Sequence, residues 1–203
     1  MNRYQVNSSE GDLQLGGEAG VLRNKLGLTR VHEIDAAETE LLEALYLNVL
    51  EQNWTELNFD HIRHWHHQWL GNLYDWAGSF RTVNLSKDGF LFAVADQLPR
   101  LIQQFESDYL GQYSELSAMD DEAIIRYLAQ SHVEFILIHP FREGNGRLSR
   151  LLLNVMAVEA GFEPLDFQLW EKHRAFYFRS IQAGASGDYQ PMEKLVRDAL
   201  ESG

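Results

Sequence analysis

Apolar residues recur along most of this chain at three- and four-residue spacings, the spacing of helices with one buried face. Leu41, Leu42, Leu45, Val49 and Leu50 form the first such stripe, in a helix expected from about Glu33. Asn58 is placed to cap a second helix, which runs through Ile62, Trp65, Trp69 and Leu73 to Trp76 before Gly78 stops it. The pattern then changes. FRTVNLSKDGFLFAVA, residues 80–95, sets Thr82, Val83, Leu85, Phe90 and Phe92 around Lys87-Asp88-Gly89, and Asp-Gly between β-forming residues predicts a hairpin.

Helical spacing resumes from about Ala93 to Leu110. After a Gly/Ser-containing connection it returns from Met119 to Ile138, with Ile124, Ile125, Leu128, His132 and Phe135 inward. Leu148 to Ala160 is apolar nearly all round, which suits a central buried helix ended by Gly161 and Pro164. Two more helices are expected, about Glu171 to Ala183 and Gln190 to Leu200. Residues 1–19 are polar and glycine-rich and read as a flexible N-terminal arm, with 20–203 as one domain. The fold class is all-α, a helical bundle with a single β-hairpin.

Composition narrows the function without deciding it. Of 203 residues, 45% are hydrophobic and 23% charged, enough for a sizeable core. The net charge of −13 argues against general affinity for nucleic acid or an anionic membrane, which a basic face would require. A local cationic pocket for one nucleotide stays open. Without cysteine there is no disulfide, thiolate metal site or cysteine nucleophile. No apolar run approaches the roughly 20 residues that span a bilayer, and the N-terminus lacks the apolar centre of a signal peptide. A cytoplasmic protein is the expectation.

The chemistry concentrates in HPFREGNGRLSR, residues 139–150, a polar cluster between two apolar runs. Pro140 disfavours helical geometry at His139 and ends the preceding helix there. Gly144 and Gly146 permit backbone N–H groups to converge on an anion, and the helix that follows presents its N-terminus to the same place. Arg147 and Arg150, three apart, project from one side of that first turn. Glu143 is the loop's one carboxylate, and Mg²⁺ shared with phosphate oxygens uses one or two such ligands. Asn145 can donate to a phosphate oxygen without adding charge. His139 is then a general base for an incoming hydroxyl, with an unperturbed pKa of about 6.5. Each piece alone would read as an ordinary helix end; together they read as a site. Phe141 is expected to pack in the core. There is no GxxxxGK[ST] loop, no strand-borne GxGxxG and no protein-kinase motif set.

HPFREGNGR matches the Fic motif HPFx[DE]GNGR at every specified position, and Arg150 stands where that family's second arginine stands. GVLRNKLGL at 20–28, LYDWAGSFRTVNLSKDG at 73–89 and GDYQPM at 187–192 resemble the family's entry segment, helix-to-flap segment and C-terminal helix start. The resemblance implies a Fic-type helical bundle whose β-hairpin is a flap over the active site. It implies a protein adenylyltransferase that moves AMP from ATP to a Ser, Thr or Tyr hydroxyl of a target protein and releases pyrophosphate. His139 would be the base, Glu143 the Mg²⁺ ligand between the α- and β-phosphates. Arg142, Gly144, Asn145, Gly146, Arg147 and Arg150 would hold the phosphates, Arg150 at the γ end. Tyr177, Phe178 and Gln182 are the residues singled out for adenine, and Leu85, Ser86, Lys87 and Asp88 for docking the target segment.

Many Fic proteins carry an inhibitory [ST]xxxE[GN] helix whose glutamate pairs with the second arginine; neither Glu10-Gly11 nor Glu201-Ser202 fits that pattern. The length and the missing motif resemble toxin halves of two-chain modules, so a small antitoxin protein supplying that glutamate to an unpaired Arg150 is the expected partner. The run His61, His64, His66, His67 reads as part of an amphipathic helix rather than a zinc site, because Trp65 and Trp69 take its core-facing positions. Two other readings compete: a Fic-fold transferase using another nucleotide or phosphate-containing donor, and a non-catalytic partner-binding module. The intact EGNGR loop speaks against a kinase-like variant, and retention of His139 and Arg150 against an inactive module.

Overall fold

The computed structural model describes residues 13–202. Eight α-helices and one short hairpin follow in the order α1 (Val31–Leu50), α2 (Phe59–Leu70), β1 (Ser86–Lys87), β2 (Phe90–Leu91), α3 (Leu98–Asp108), α4 (Asp121–Ile138), α5 (Asn145–Glu159), α6 (Gln168–Lys172), α7 (Arg174–Gly184) and α8 (Gln190–Leu200). The bundle is built around α4, which packs against α3, α5, α7 and α8, while α1 and α2 cover α5 from the other side. Two features of sequence put α4 there. Asp120 caps it by accepting from Ala123 N at 2.8 Å, and its apolar residues wrap more than one face. Leu128, Ala129, Val133 and Phe135 are fully enclosed.

Several boundaries differ from the sequence pattern for local reasons. The second helix ends at Leu70, with Leu73 and Trp76 held in turns that bring Gly78 N back onto His66 Nδ1 at 2.8 Å. The stretch expected as helix from Ala93 is a 3₁₀ turn at Ala95–Gln97 followed by α3, and the Gly/Ser connection is a 3₁₀ segment, Leu110–Ala118, with Leu110, Tyr113 and Leu116 buried. The last long apolar helix begins at Asn145, not Leu148, so the glycine-rich loop is already its first turn. The helix expected from Glu171 breaks at His173 into α6 and α7. Residues 1–12 of the expected arm lie outside the described residues. Residues 13–19 are hydrogen-bonded instead: Leu13 pairs with Leu22, and Glu18 accepts from Val31 N at 2.8 Å, a carboxylate at the N-terminus of α1.

One close approach and one tight turn shape this half of the fold. At Gly184 a Cβ would lie 2.3 Å from Val133 Cγ1, so α7 reaches α4 more closely than a side chain permits. The hairpin turn, Asp88-Gly89, has φ of 50° and 81°, the left-handed pair that two-residue hairpins use, and it sets the register Ser86↔Leu91 and Lys87↔Phe90. Among the described residues no helix is long and apolar enough to cross a membrane.

Candidate active site

Pro140 stops α4 at Ile138, and His139 takes the left-handed conformation (φ 53°, ψ 61°) as the helix C-cap. For a residue with a Cβ that conformation costs about 1 kcal/mol, so the surroundings must hold it. Arg81 does. Its buried guanidinium donates to His139 O at 2.6 Å, Ile138 O at 3.2 Å, Val83 O at 2.6 Å and Ala93 O at 2.5 Å. It thereby satisfies carbonyls at the end of α4 and ties both ends of the hairpin segment to them. Arg81 N also donates to Pro140 O at 2.9 Å, beside a bridge between Phe80 and Phe141. A lone arginine beside β-forming residues was the one sequence signal for this staple, and it was missed.

The His139 ring is fixed on two sides. Nδ1 lies 3.0 Å from Ile136 O, which can only accept, so Nδ1 carries the hydrogen and Nε2 the lone pair. Phe92, from the strand side of the flap, stacks on the ring with centroids 3.7 Å apart and planes 20° apart. Burial pushes the imidazole down to about 3; the hydrogen bond to Ile136 O opposes this, and the charges of Arg81 and Lys87 add to it. At neutral pH His139 is therefore unprotonated, the form a general base requires. A polyanion bound beside it would raise that value, since it favours the charged imidazolium.

The loop after His139 is braced from within. His66 in α2 accepts from Gly78 N on Nδ1, so its Nε2–H donates to Glu143 O at 3.1 Å, and its ring stacks on Phe141 at 4.1 Å. Burial holds this imidazole down to about 3 as well, so it stays a neutral bridge between α2 and the loop. The Asn145 side chain accepts from Phe141 N at 2.9 Å and donates to Phe141 O at 2.8 Å. Both ends of the amide thus help to close the turn, and a phosphate would be met by the second N–H of the side-chain amide or by the backbone N–H of Asn145. The expected role of Arg142 is corrected. It is 2% exposed and its side chain is not part of the cavity wall, since successive residues of so tight a turn project in different directions. Gly144, with φ of 83°, opens α5; a Cβ there would lie 2.6 Å from Trp69 Cζ3. Nothing lies within 4 Å of the corresponding point at Gly146.

Around these parts lies a cavity of about 300 Å³. His139, Glu143, Gly144, Gly146, Arg147 and Arg150 contribute to its wall. Tyr177, Phe178 and Gln182 face it from α7, and Lys87 and Asp88 from the flap. Leu85 is buried at 1% exposure, and neither it nor Ser86 lines the cavity. The sequence did not point to Trp170, Glu171 and Arg174, which line the cavity on the α6–α7 side. Arg174 and Phe178 are one helical turn apart, which was the available hint.

Arg147 and Arg150 both have carboxylate partners. Arg147 Nη2 donates to Glu38 Oε2 at 2.8 Å and its guanidinium lies 4.4 Å from the centre of a Trp69 ring. Glu38 is 1% exposed, sits on the inward stripe of α1 and also accepts from Tyr74 Oη at 2.6 Å. A carboxylate on a buried stripe is a signal the sequence offered. Arg150 Nη1 donates to Glu171 Oε1 at 2.5 Å, and aromatic rings of Phe167, Trp170 and Tyr177 lie within 6 Å of the guanidinium. Arg150 is thus not the unpaired cation that the antitoxin expectation assumed. Glu143 faces the cavity, with Oε1 accepting from Gly144 N at 3.1 Å. Among the described residues no three metal-binding side chains cluster, so a divalent ion at Glu143 would draw most of its ligands from a bound phosphate chain and water.

Residues 56–157 match the model of the Fic/DOC family. A protein adenylyltransferase Fic of Culex quinquefasciatus is 32% identical over 125 residues, which is 62% of this chain and 24% of that protein. The chain therefore spans about a quarter of that protein's length. A probable protein adenylyltransferase of Sinorhizobium fredii is 29% identical over 177 residues, covering 87% of this chain and 90% of its own. Among solved structures, the BepC effector of Bartonella tribocorum with bound AMPPNP superposes with a TM-score of 0.74 at 21% identity, over 92% of this chain and 96% of that one. That last likeness is one of fold.

Proposed function

The chain belongs to the Fic/DOC family, and we propose on that footing that it is a protein adenylyltransferase, moving AMP from ATP to a Ser, Thr or Tyr hydroxyl of a target protein. The observation that carries this reading is one cavity holding an unprotonated histidine, a carboxylate and a helix N-terminus flanked by two arginines. The curated names of the relatives from Culex and Sinorhizobium give the same activity, and the AMPPNP in the Bartonella structure supports a nucleoside triphosphate as donor.

On this reading each residue has a task. The target hydroxyl gives its proton to His139 Nε2 as its oxygen attacks the α-phosphorus. The bond from that phosphorus to the α–β bridging oxygen breaks, and pyrophosphate leaves with the electron pair. The Nδ1–H to Ile136 O bond holds the ring so that Nε2 is the basic atom. Phe92 covers the other face of the ring and keeps water from it. Backbone N–H groups from Gly144 onward and the start of α5 receive the phosphates, with Arg147 oriented by Glu38 and Arg150 at the far end. Glu143 is the residue that would hold Mg²⁺, which would supply charge neutralisation to the bound phosphates.

An antitoxin that reaches Arg150 with a glutamate would have to displace Glu171. The reading is tested by incubating the protein with ATP, Mg²⁺ and a cell lysate and digesting the products for mass spectrometry. Peptides that carry an adenylyl group on a hydroxyl support it; an added phosphate alone points to a different transfer from the same fold.

A further inference from the structure

Arg147 and Arg150 each pair with a carboxylate, and the cavity is lined by two further cations that the motif does not contain. Arg174 stands in the first turn of α7 and makes no ion pair among the described residues. Its guanidinium carbon lies 5.5 Å from the centre of the Phe178 ring. Lys87 comes from the flap on the other side, its Nζ 5.7 Å from the centre of the same ring. Lys87 is paired across the hairpin with Phe90, so the type of turn at Asp88-Gly89 decides that its side chain enters the cavity. Phe178 is the floor that both cations share.

A cation is costly to strip of water unless an opposite charge arrives. Lys87 is half-buried, and burial pushes its ammonium below the usual lysine range, with Glu143 pulling it back up and Arg174 pushing it further down. Lys87 and Arg174 repel one another, and Lys87 also bears on His139. Two like charges held near a general base and a carboxylate, in a chain of net charge −13, make an arrangement that an anion relieves.

We propose that Lys87 and Arg174 form a cationic jaw that closes on the phosphate chain from the flap side, opposite the α5 N-terminus and its arginines. The inference rests on the adenylyltransferase reading for its ligand and adds residues that the family motif does not supply. Lys87 lines the same cavity as Glu143 and His139 and its charge bears on both, so the group it grips is the α/β end of the nucleotide, where transfer occurs. The jaw also makes the flap part of the nucleotide site: the hairpin bearing Phe92 on His139 is drawn down by the charge it carries.

The test is binding of Mg-ADP and of adenosine to the full chain and to Lys87→Met, Arg174→Met and Arg174→Lys. Methionine keeps an unbranched apolar stem against Phe178 and removes only the charge. Each methionine variant is expected to weaken ADP about tenfold, the loss of one charge-assisted contact, with adenosine unchanged and a shallower dependence of ADP affinity on salt. Arg174→Lys should retain most of the wild-type ADP affinity. The jaw is overturned if ADP binds both methionine variants as tightly as wild type, or if adenosine affinity falls in step with ADP, which a merely structural role would produce. Wild type that fails to bind ADP at all would remove the adenylyltransferase reading and the jaw with it.

Discussion

Arg150 and Glu171 meet inside the cavity, Nη1 to Oε1 at 2.5 Å, with the arginine side chain 20% and the glutamate 57% exposed. A terminal phosphate reaching Arg150 therefore competes with a carboxylate of the same chain. A pair this exposed is worth up to about 1 kcal/mol, so Glu171→Gln should tighten ATP binding by at most about fivefold. ADP, which lacks the γ-phosphate, should bind as before. Calorimetric titration of both nucleotides decides the matter; an ATP affinity lower in the variant than in wild type would show that Glu171 assists binding.

The two loop glycines should behave differently. At Gly144 the φ of 83° and the 2.6 Å approach to Trp69 leave no room for a methyl group, whereas at Gly146 nothing lies within 4 Å. Gly144→Ala is expected to destabilise the fold by about 2 kcal/mol through strain and overpacking, and to disturb the first turn of α5. Gly146→Ala should leave the urea midpoint near wild type. Equal midpoints for the two variants would contradict this packing.

Acid sensitivity follows from three histidines held down by burial. His66, His132 and His139 each titrate near 3 in the fold against about 6.5 in the unfolded chain. Between those values the unfolded chain binds protons that the native state does not, so stability is full above about pH 6.5 and falls as pH drops. The slope is about 1.4 kcal/mol per pH unit for each histidine. Urea denaturation from pH 7.5 to 4.5 measures it. His132→Phe, which has no proton to take up, should give a shallower decline, and an unchanged slope would count against this account.

Arg81 is expected to matter as much as any motif residue. Arg81→Lys keeps the charge but has three donors on one atom, too few and too close together for four carbonyls on three segments. A loss of about 3 kcal/mol is expected, from acceptors left unsatisfied, with faster hydrogen exchange in the hairpin. Wild-type stability and exchange in the variant would mean that the staple does not hold the flap.

What the sequence could reveal depended on whether the signal was local. The stripe through Ile62, Trp65 and Trp69, the Asn58 cap and the Asp-Gly turn each rest on neighbours a few residues away, and each appears in the structure. HPFREGNGR was legible because one short segment carries most of the chemistry. The turn-closing bonds of Asn145 to Phe141 were not legible, because a side-chain amide in a glycine loop looks like a ligand donor alone until its neighbours are placed. Glu38, Arg81 and Glu171 were missed because their partners stand 109, 58 and 21 residues away, beyond any periodicity. The split between α6 and α7 at His173 has no glycine or proline to announce it, and α6 is tied to α8 by Trp170 Nε1 donating to Leu195 O, 25 residues away.

The central claim is that His139 takes a proton from a hydroxyl while the α-phosphorus of ATP changes partners. Wild type and His139→Ala, each shown to bind nucleotide, would be incubated in a lysate with Mg²⁺ and ATP labelled at either the α or the γ phosphate. The account predicts protein-bound α label with wild type, no γ label, and transfer reduced at least about 100-fold in the variant. Label arriving from the γ position, or α transfer undiminished without His139, would contradict it.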